Sequence, residues 1–399
     1  MRDPKGHPGA SVTLAALSLL SIPDVFSAIP LCKSHIPLPF SGGFVKIGLV
    51  GLPKSGKTTL FNALTKATAA VSAYDTGKSE TNIAVVQVKD ERITKLSAMY
   101  KPKKTVYATV EFADFAGVTE GSAKEDALSG ALMKQIRNTD ALAVVLRSFD
   151  SEMSGPADPA GELQKITDEF LLSDLIIAEN RVEKIRAGYK RGQNTDALKA
   201  EEKVMARIQD HLGASKPIRE LTFTAEEETL VKGYQFLTKK HLVVVVNSSE
   251  ETYRKNDALM AEIAKIYRVI EFAGNFEMEL SRMDDADAKA FMDDMGITES
   301  ARDRFVVLAY ETVGYISFFT VGEDEVRAWN IKRGQPAVEA AGAIHTDLAR
   351  GFIAAECFTY DDLMTLGSER AIKDKGKFRL EGKEYVVKDG DCLSIRFNV

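Results

Sequence analysis

Eight residues, Gly51-Leu52-Pro53-Lys54-Ser55-Gly56-Lys57-Thr58, constrain this chain more than any other stretch. They fit G-x-x-x-x-G-K-[ST], the phosphate-cradling loop. The apolar run Phe44–Val50 before them predicts a buried strand, and Thr59-Leu60-Phe61-Asn62-Ala63-Leu64 after them predicts the start of a helix. That strand–loop–helix context is what the motif requires. Gly51 and Gly56 allow the loop, with Pro53, Lys54 and Ser55 between them, to turn successive backbone N–H groups onto phosphates. Lys57 then neutralises the β- and γ-phosphates and is the first expected catalytic residue, Thr58 offers its hydroxyl to Mg²⁺, and Thr59 closes the cradle. The expected fold is α/β, with the nucleotide held outside the carboxyl ends of a parallel sheet.

Further nucleotide elements follow in order. Val106–Phe112 alternates as a strand and runs into Ala113-Asp114-Phe115-Ala116-Gly117. An Asp-x-x-Gly there suits Asp114 as a ligand on the Mg²⁺ side and the Gly117 amide as a γ-phosphate sensor. Ala141–Leu146 and Leu242–Val246 read as two more buried strands, the second ending in Asn247-Ser248-Ser249-Glu250. A guanine site keeps Asn-Lys-x-Asp at this place, with the Asp accepting from the guanine N1–H and exocyclic amine. Here Ser248 replaces the Lys, and Glu250 is a methylene longer than Asp. Asn247 still suits a purine N7/N6 edge, so ATP is favoured over GTP, with a GTPase as the alternative.

Composition removes other classes. The net charge is −6 and the three cysteines, Cys32, Cys357 and Cys392, are far apart. A disulfide scaffold and a zinc ribbon are excluded, and no global basic field draws the chain to DNA. A reducing, cytoplasmic setting without a membrane fits. Residues 1–44 hold half of the 12 prolines and an apolar run, Val12–Ile22, too short to span a bilayer. They read as a disordered or mis-started extension, with the functional chain starting near Val45. Leu171, Leu175, Ala178, Val182, Ile185 and Tyr189 step by four and three, a coiled-coil seam. Gly192-Gln193-Asn194-Thr195 makes the turn, and Leu198, Met205, Ile208 and Leu212 form the returning stripe. Between Arg181 and Arg207 eight Lys/Arg face four Asp/Glu, 8 − 4 = +4, which suits ribosomal RNA or a solvated helix face. Tyr385–Val387 and Leu393–Phe397 are expected strands. The five histidines form no metal spacing, which leaves His345 a structural or partner-contact role. Cys357 and Cys392 are expected in the core, and Trp329 in the core or at an interface.

These residues resemble the YchF/Obg-like ATPase family. Gly-Leu-Pro-x-x-Gly-Lys-[ST]-Thr-Leu-Phe-Asn matches at 51–62, and Asn-x-x-Glu at 247–250. The most specific likeness is the run from Phe318 to Trp329, followed by Ala340–Asp347, Gly351–Ile353, Glu381–Tyr385 and Asp389–Asp391. The resemblance spans about residues 45–399. It implies a Ras-like P-loop NTPase domain at 45–157 and 222–302, a helical hairpin inserted at 158–221, and a TGS-like β-grasp domain at 303–399. It also implies ATP hydrolysis and a ribosome-associated or stress-regulatory role, and the chain is expected to be a monomer. Departures bear on the site. Lys54 stands where the family usually has Asn, a position that related NTPases associate with K⁺. Val118 stands where Ras-like enzymes place a water-orienting Gln. Gln135 falls at the family's His and is the expected substitute. Lys78 occupies the Thr position of the first switch, leaving Thr76 or Thr81 to reach Mg²⁺, and the base-capping segment reads Ala273-Gly274-Asn275. These changes keep a weakly hydrolysing ribosome- or RNA-binding adaptor open as a further alternative.

Overall fold

The computed structural model describes residues 45–66, 81–115, 130–151 and 155–398. The expectations for residues 1–44, Thr76, Lys78, Gly117 and Val118 lie outside these residues. In the first half of the chain β1 (Val45–Val50) leads into α1 (Lys57–Lys66), and β2 (Thr81–Gln87) into α2 (Glu91–Tyr100). Then come β3 (Lys104–Val106), β4 (Thr109–Phe115), α3 (Gly130–Ile136) and β5 (Ala141–Arg147). Two long helices, α4 (Pro159–Tyr189) and α5 (Asp196–Gly213), and the short α6 (Ala225–Val231) precede β6 (His241–Ser248). After α7 (Asp257–Ala264) come β7 (Arg268–Ala273), α8 (Gly274–Leu280), α9 (Asp285–Asp294) and α10 (Ala301–Thr312).

Six of these strands form one sheet in the order β2-β4-β1-β5-β6-β7. All pairs are parallel except β2–β4, which is antiparallel. Ala141–Leu146 and Leu242–Val246 are buried along their whole length, as strands covered by helices on both faces must be. This arrangement places the carboxyl ends of β1, β5 and β6 side by side, over the phosphate loop.

The helical pair forms as the apolar spacing predicts. Asp158 caps α4 ahead of Pro159 in its first turn, and the Thr195 side chain caps α5. Ala178 and Val182 pack with Val204, Met205, Ile208 and Leu212 in one buried cluster, and Ile185 is buried further along α4. Much of the basic excess is consumed by glutamates of α5 and α6. Arg181 pairs with Glu201 at 2.6 Å, Arg186 with Glu202 at 2.8 Å and Arg207 with Glu227 at 3.0 Å. A fully buried carboxylate, Asp174, anchors α4 to the sheet. It takes a 2.7 Å ion pair from Arg137 and accepts from Leu237 N–H at 3.1 Å, Thr238 N–H at 2.7 Å and the Thr238 hydroxyl at 2.8 Å.

The second half adds β8 (Tyr315–Thr320), β9 (Glu325–Lys332), α11 (Ala337–Ile344), α12 (Thr346–Arg350) and β10 (Phe352–Thr359). It ends with α13 (Tyr360–Leu366), α14 (Glu369–Asp374), β11 (Arg379–Glu381) and β12 (Asp391–Phe397). The second sheet runs β11-β10-β12-β8-β9-β3. Two expectations change here. The strand read as Val106–Phe112 is two strands, and the first, β3, leaves the nucleotide sheet to pair in parallel with β9, Thr105 opposite Val326. Tyr385–Val387 is no strand. It makes one bridge, Pro336 to Val386, because the Tyr385 hydroxyl is drawn 2.8 Å from the buried Asp391 and 3.2 Å from Arg379. Arg92 reinforces the β3 junction: its guanidinium donates to Asp389 at 2.7 Å and lies 5.2 Å from the Phe319 ring centre. Cys357 and Cys392 are buried, and burial pushes the Cys357 thiol up to about 12. His345 caps α12, its Nδ1 accepting Asp347 N–H at 3.2 Å. The half-buried Trp329 stacks 6.4 Å from Phe318.

Asp174→Ala leaves Arg137 and two backbone N–H groups without their buried acceptor. We expect it to cost about 3–5 kcal/mol of unfolding free energy, read from urea midpoints at unchanged m-value. An effect below about 1 kcal/mol would show that α4 is held by its apolar contacts alone.

Candidate functional site

A pocket of about 360 Å³ opens at the carboxyl end of the first sheet. Lys54, Gly56, Lys57, Thr58 and Thr59 line its phosphate-loop side. Asn247, Ser248, Ser249, Gly274 and Asn275 line the opposite wall, with Phe149 joining them. Gly51 and Ser55 lie beneath the loop, buried. A Cβ on Gly51 would sit 2.5 Å from both Ser55 Oγ and the Val145 carbonyl, so only glycine fits. Gly56 has φ +95, and a Cβ there would sit 2.0 Å from Asn247 Nδ2. Pro53 is exposed outside the lining.

Lys57 and Asp114 form the charged floor. Asp114 is 4 % exposed and pairs in register with Leu49 of β1, bringing its carboxylate to the foot of the phosphate loop. Burial lowers the Lys57 pKa and raises that of Asp114, and each charge partly offsets the other's shift. The Lys57 ammonium donates to the Gly51 carbonyl at 2.7 Å. Thr81 opens β2 opposite Phe115, one step from the Asn82–Asp114 pair. Thr58, Asp114 and Thr81 thus come from three elements meeting at one end of the sheet, and their oxygens suit a hard divalent cation that shares its shell with phosphates. Among the described residues no cluster of three or more His, Cys, Asp or Glu could hold a metal by itself. Gln135, half-buried on α3, is not among the lining residues.

Asn247 is a clamp. Its amide nitrogen donates to the Ser55 carbonyl at 3.0 Å, and its carbonyl oxygen accepts Gly274 N–H at 3.2 Å. Both ends of the 5 % exposed carboxamide are engaged within the protein, which ties the phosphate loop to the β7–α8 junction. The base-side wall differs from the expectation in two respects. Glu250 is exposed and lies outside the lining, and Ala273 is buried behind Gly274. Phe149 was missed from the sequence, because a lone aromatic after a strand carries no motif. Arg147, 4 % exposed, holds it in place by donating to the Phe149 carbonyl at 2.8 Å and the Gly155 carbonyl at 2.9 Å. Lys54 sits in the left-handed region at φ 65, which Asn tolerates better than Lys.

Comparison with known proteins agrees with this geometry. A model of 50S ribosome-binding GTPases matches residues 46–181, and one of YchF-GTPase C-terminal regions, described as a protein of unknown function, matches 315–398. The ribosome-binding ATPase YchF of Bacillus subtilis is 38 % identical over 363 residues, covering 88 % of this chain and 99 % of the relative. The chain belongs to the YchF family. Obg-like ATPase 1 of Oryza sativa subsp. japonica is 36 % identical, covering 90 % of this chain and 95 % of its own length. The solved YchF GTPase of Schizosaccharomyces pombe superposes with a TM-score of 0.79 at 31 % identity, over 91 % of this chain and all of that one. These YchF relatives are described as ATPases in Bacillus subtilis and Oryza sativa and as a GTPase in Schizosaccharomyces pombe, so the base-side wall carries the question of which nucleotide fits.

Within this YchF site, Lys54→Asn is expected to raise unfolding free energy by about 0.5–1 kcal/mol by relieving the left-handed Lys, measured by chemical denaturation. Asn247→Ala removes both clamp bonds and leaves a buried carbonyl and N–H unpaired, at a cost of about 2–4 kcal/mol. If Asn247→Ala is neutral, the clamp is not what holds the loop.

Proposed function

We propose that this chain is a Mg²⁺-dependent nucleotide switch that binds and slowly hydrolyses ATP in preference to GTP and works in association with the ribosome. One observation carries the reading: a phosphate loop with Lys57 at its floor faces a base-side wall that bears no carboxylate. Among the described lining residues Lys54 and Lys57 are the only charged ones. A guanine reader needs an acid to accept from N1–H and the exocyclic amine, whereas the amide of Asn275 and the hydroxyl of Ser249 suit the adenine edge. In this reading the loop Gly51–Thr58 binds the triphosphate through backbone N–H groups, and Lys57 balances charge that develops on the γ-phosphate. Thr58, Asp114 and Thr81 hold Mg²⁺, which supplies electrostatic neutralisation of the phosphate oxygens when bound. Gly117 supplies an amide to the γ-phosphate, and Gln135 orients water only if its helix closes on the nucleotide. Slow turnover follows, since Val118 offers no hydrogen bond.

Ribosome association follows the relatives described as ribosome-binding ATPases, and it fits a helical pair that carries Lys184, Lys190 and Arg191 toward its turn. Residues 45–157 and 222–302 then act as the nucleotide-binding part, 158–221 as a helical hairpin and 303–399 as a TGS-like module, with β3 crossing between them.

Titration of ATP and GTP with Mg²⁺ into the full chain tests the reading. ATP is expected to bind at least about tenfold tighter, with Ser248→Lys/Glu250→Asp shifting preference toward GTP and Lys57→Ala lowering hydrolysis by about 100-fold or more. Equal rates in Na⁺ and K⁺, with K⁺ dependence appearing in Lys54→Asn, would place the Lys54 ammonium in the cation's role. Turnover no faster than Lys57→Ala, with ribosome co-sedimentation retained, would make the protein an adaptor instead.

A further inference from the structure

A partly buried chain of polar side chains backs the base-side wall. The Ser248 hydroxyl, on a residue 3 % exposed, donates to Glu271 Oε1 at 2.7 Å. The Asn256 amide nitrogen reaches the same carboxylate oxygen at 2.6 Å and the Ser248 hydroxyl at 3.0 Å. On its other side Asn256 Oδ1 accepts from the Ser148 hydroxyl at 2.7 Å. The second Glu271 oxygen accepts Arg254 N–H at 3.0 Å, and Arg254 holds a left-handed φ of 60. One carboxylate on β7 therefore fixes both ends of the 248–256 turn and, through Asn256, the segment that carries Phe149. Ser248 lines the pocket beside Ser249, and Ser148 immediately precedes another lining residue, Phe149.

We propose that Glu271 is a positioning residue that sets the base selectivity of this pocket. The inference rests on the reading of the pocket as a purine nucleoside triphosphate site. Glu271 touches no base. It holds the two walls between which a base would lie, and it keeps the 248–256 turn closed so that Glu250 stays outside. Without the carboxylate, a buried hydroxyl, an amide and a backbone N–H lose their common acceptor, and the left-handed Arg254 loses the bond that compensates its backbone. The wall relaxes, and a base is then read against a soft surface rather than a preorganised one. The phosphate end is held by other contacts, those of Asn247, Lys57 and the loop glycines, and is spared.

The test compares dissociation constants of ATP, GTP and inorganic tripolyphosphate, each with Mg²⁺, for the full-length wild type, Glu271→Val and Glu271→Gln. Valine suits the strand but accepts no hydrogen bond, whereas glutamine keeps one acceptor oxygen in place. Glu271→Val is expected to cut the ratio of GTP to ATP dissociation constants about tenfold while tripolyphosphate binding changes less than about twofold. Glu271→Gln is expected to hold the ratio within about threefold of wild type. An unchanged ratio in Glu271→Val, or a fall in tripolyphosphate affinity that parallels the loss of ATP, overturns the proposal. If Glu271→Val fails to fold by circular dichroism, Ser148→Ala and Asn256→Ala each remove part of the same chain. A several-fold fall in the ratio is expected for both, and no change in either overturns the proposal. A wild type that binds neither nucleotide nor tripolyphosphate would defeat the nucleotide reading itself, a result distinct from any change of ratio.

Discussion

A single carboxamide fixes the geometry on which the site depends. Asn247 stands at the end of β6, where the Ser55 carbonyl and the Gly274 N–H both point inward, and it answers one as a donor and the other as an acceptor. A carboxylate would repel the Ser55 carbonyl, and a lysine would leave Gly274 unpaired. Each bond is worth only about 1 kcal/mol net, but either partner left alone in the interior costs more than the bond returns. The clamp also explains Gly56: with Asn247 Nδ2 occupying the space of a Cβ, the loop closes only without one.

The site's electrostatics follow from that closure. Lys57 and Asp114 are withdrawn from water, which pushes each toward its neutral form, and each restrains the other's shift. Entering phosphates and a divalent cation would supply the counter-charges that this poorly solvated pair lacks. The base side follows the opposite logic: neutral hydroxyls, amides and one aromatic ring, organised by a carboxylate set behind the surface.

Much of the fold was legible in the sequence, and the reason is local. The phosphate loop, β5, β6 and the α4–α5 seam each carry their own spacing within one continuous stretch of chain, which suffices to recognise them. The parts missed depend on distant partners. Nothing in Lys104–Val106 announces that it pairs with β9, more than 200 residues on, rather than continuing into β4. Tyr385–Val387 has strand-like residues, but its tyrosine is claimed by Asp391 and Arg379. Glu250 was placed by analogy with guanine sites, whereas the turn that carries it is set by Glu271, a residue with no motif of its own. The basic excess on the helices is visible in the sequence, but a count does not reveal that Arg181, Arg186 and Arg207 spend their charge on neighbouring glutamates.

The parallel pairing of β3 with β9 orders events during synthesis. A ribosome elongating at roughly 5–20 residues per second releases β3 long before its partner exists. Until Glu325–Lys332 emerges, the segment between β2 and β4 has no sheet to join, and Arg92 has no Asp389 to receive it. The amino-terminal part must therefore wait, partly unlatched, for the last quarter of the chain. Cutting away the amino-terminal part would strip β3 from the second sheet, and cutting away the carboxyl-terminal part would leave β3 without its partner.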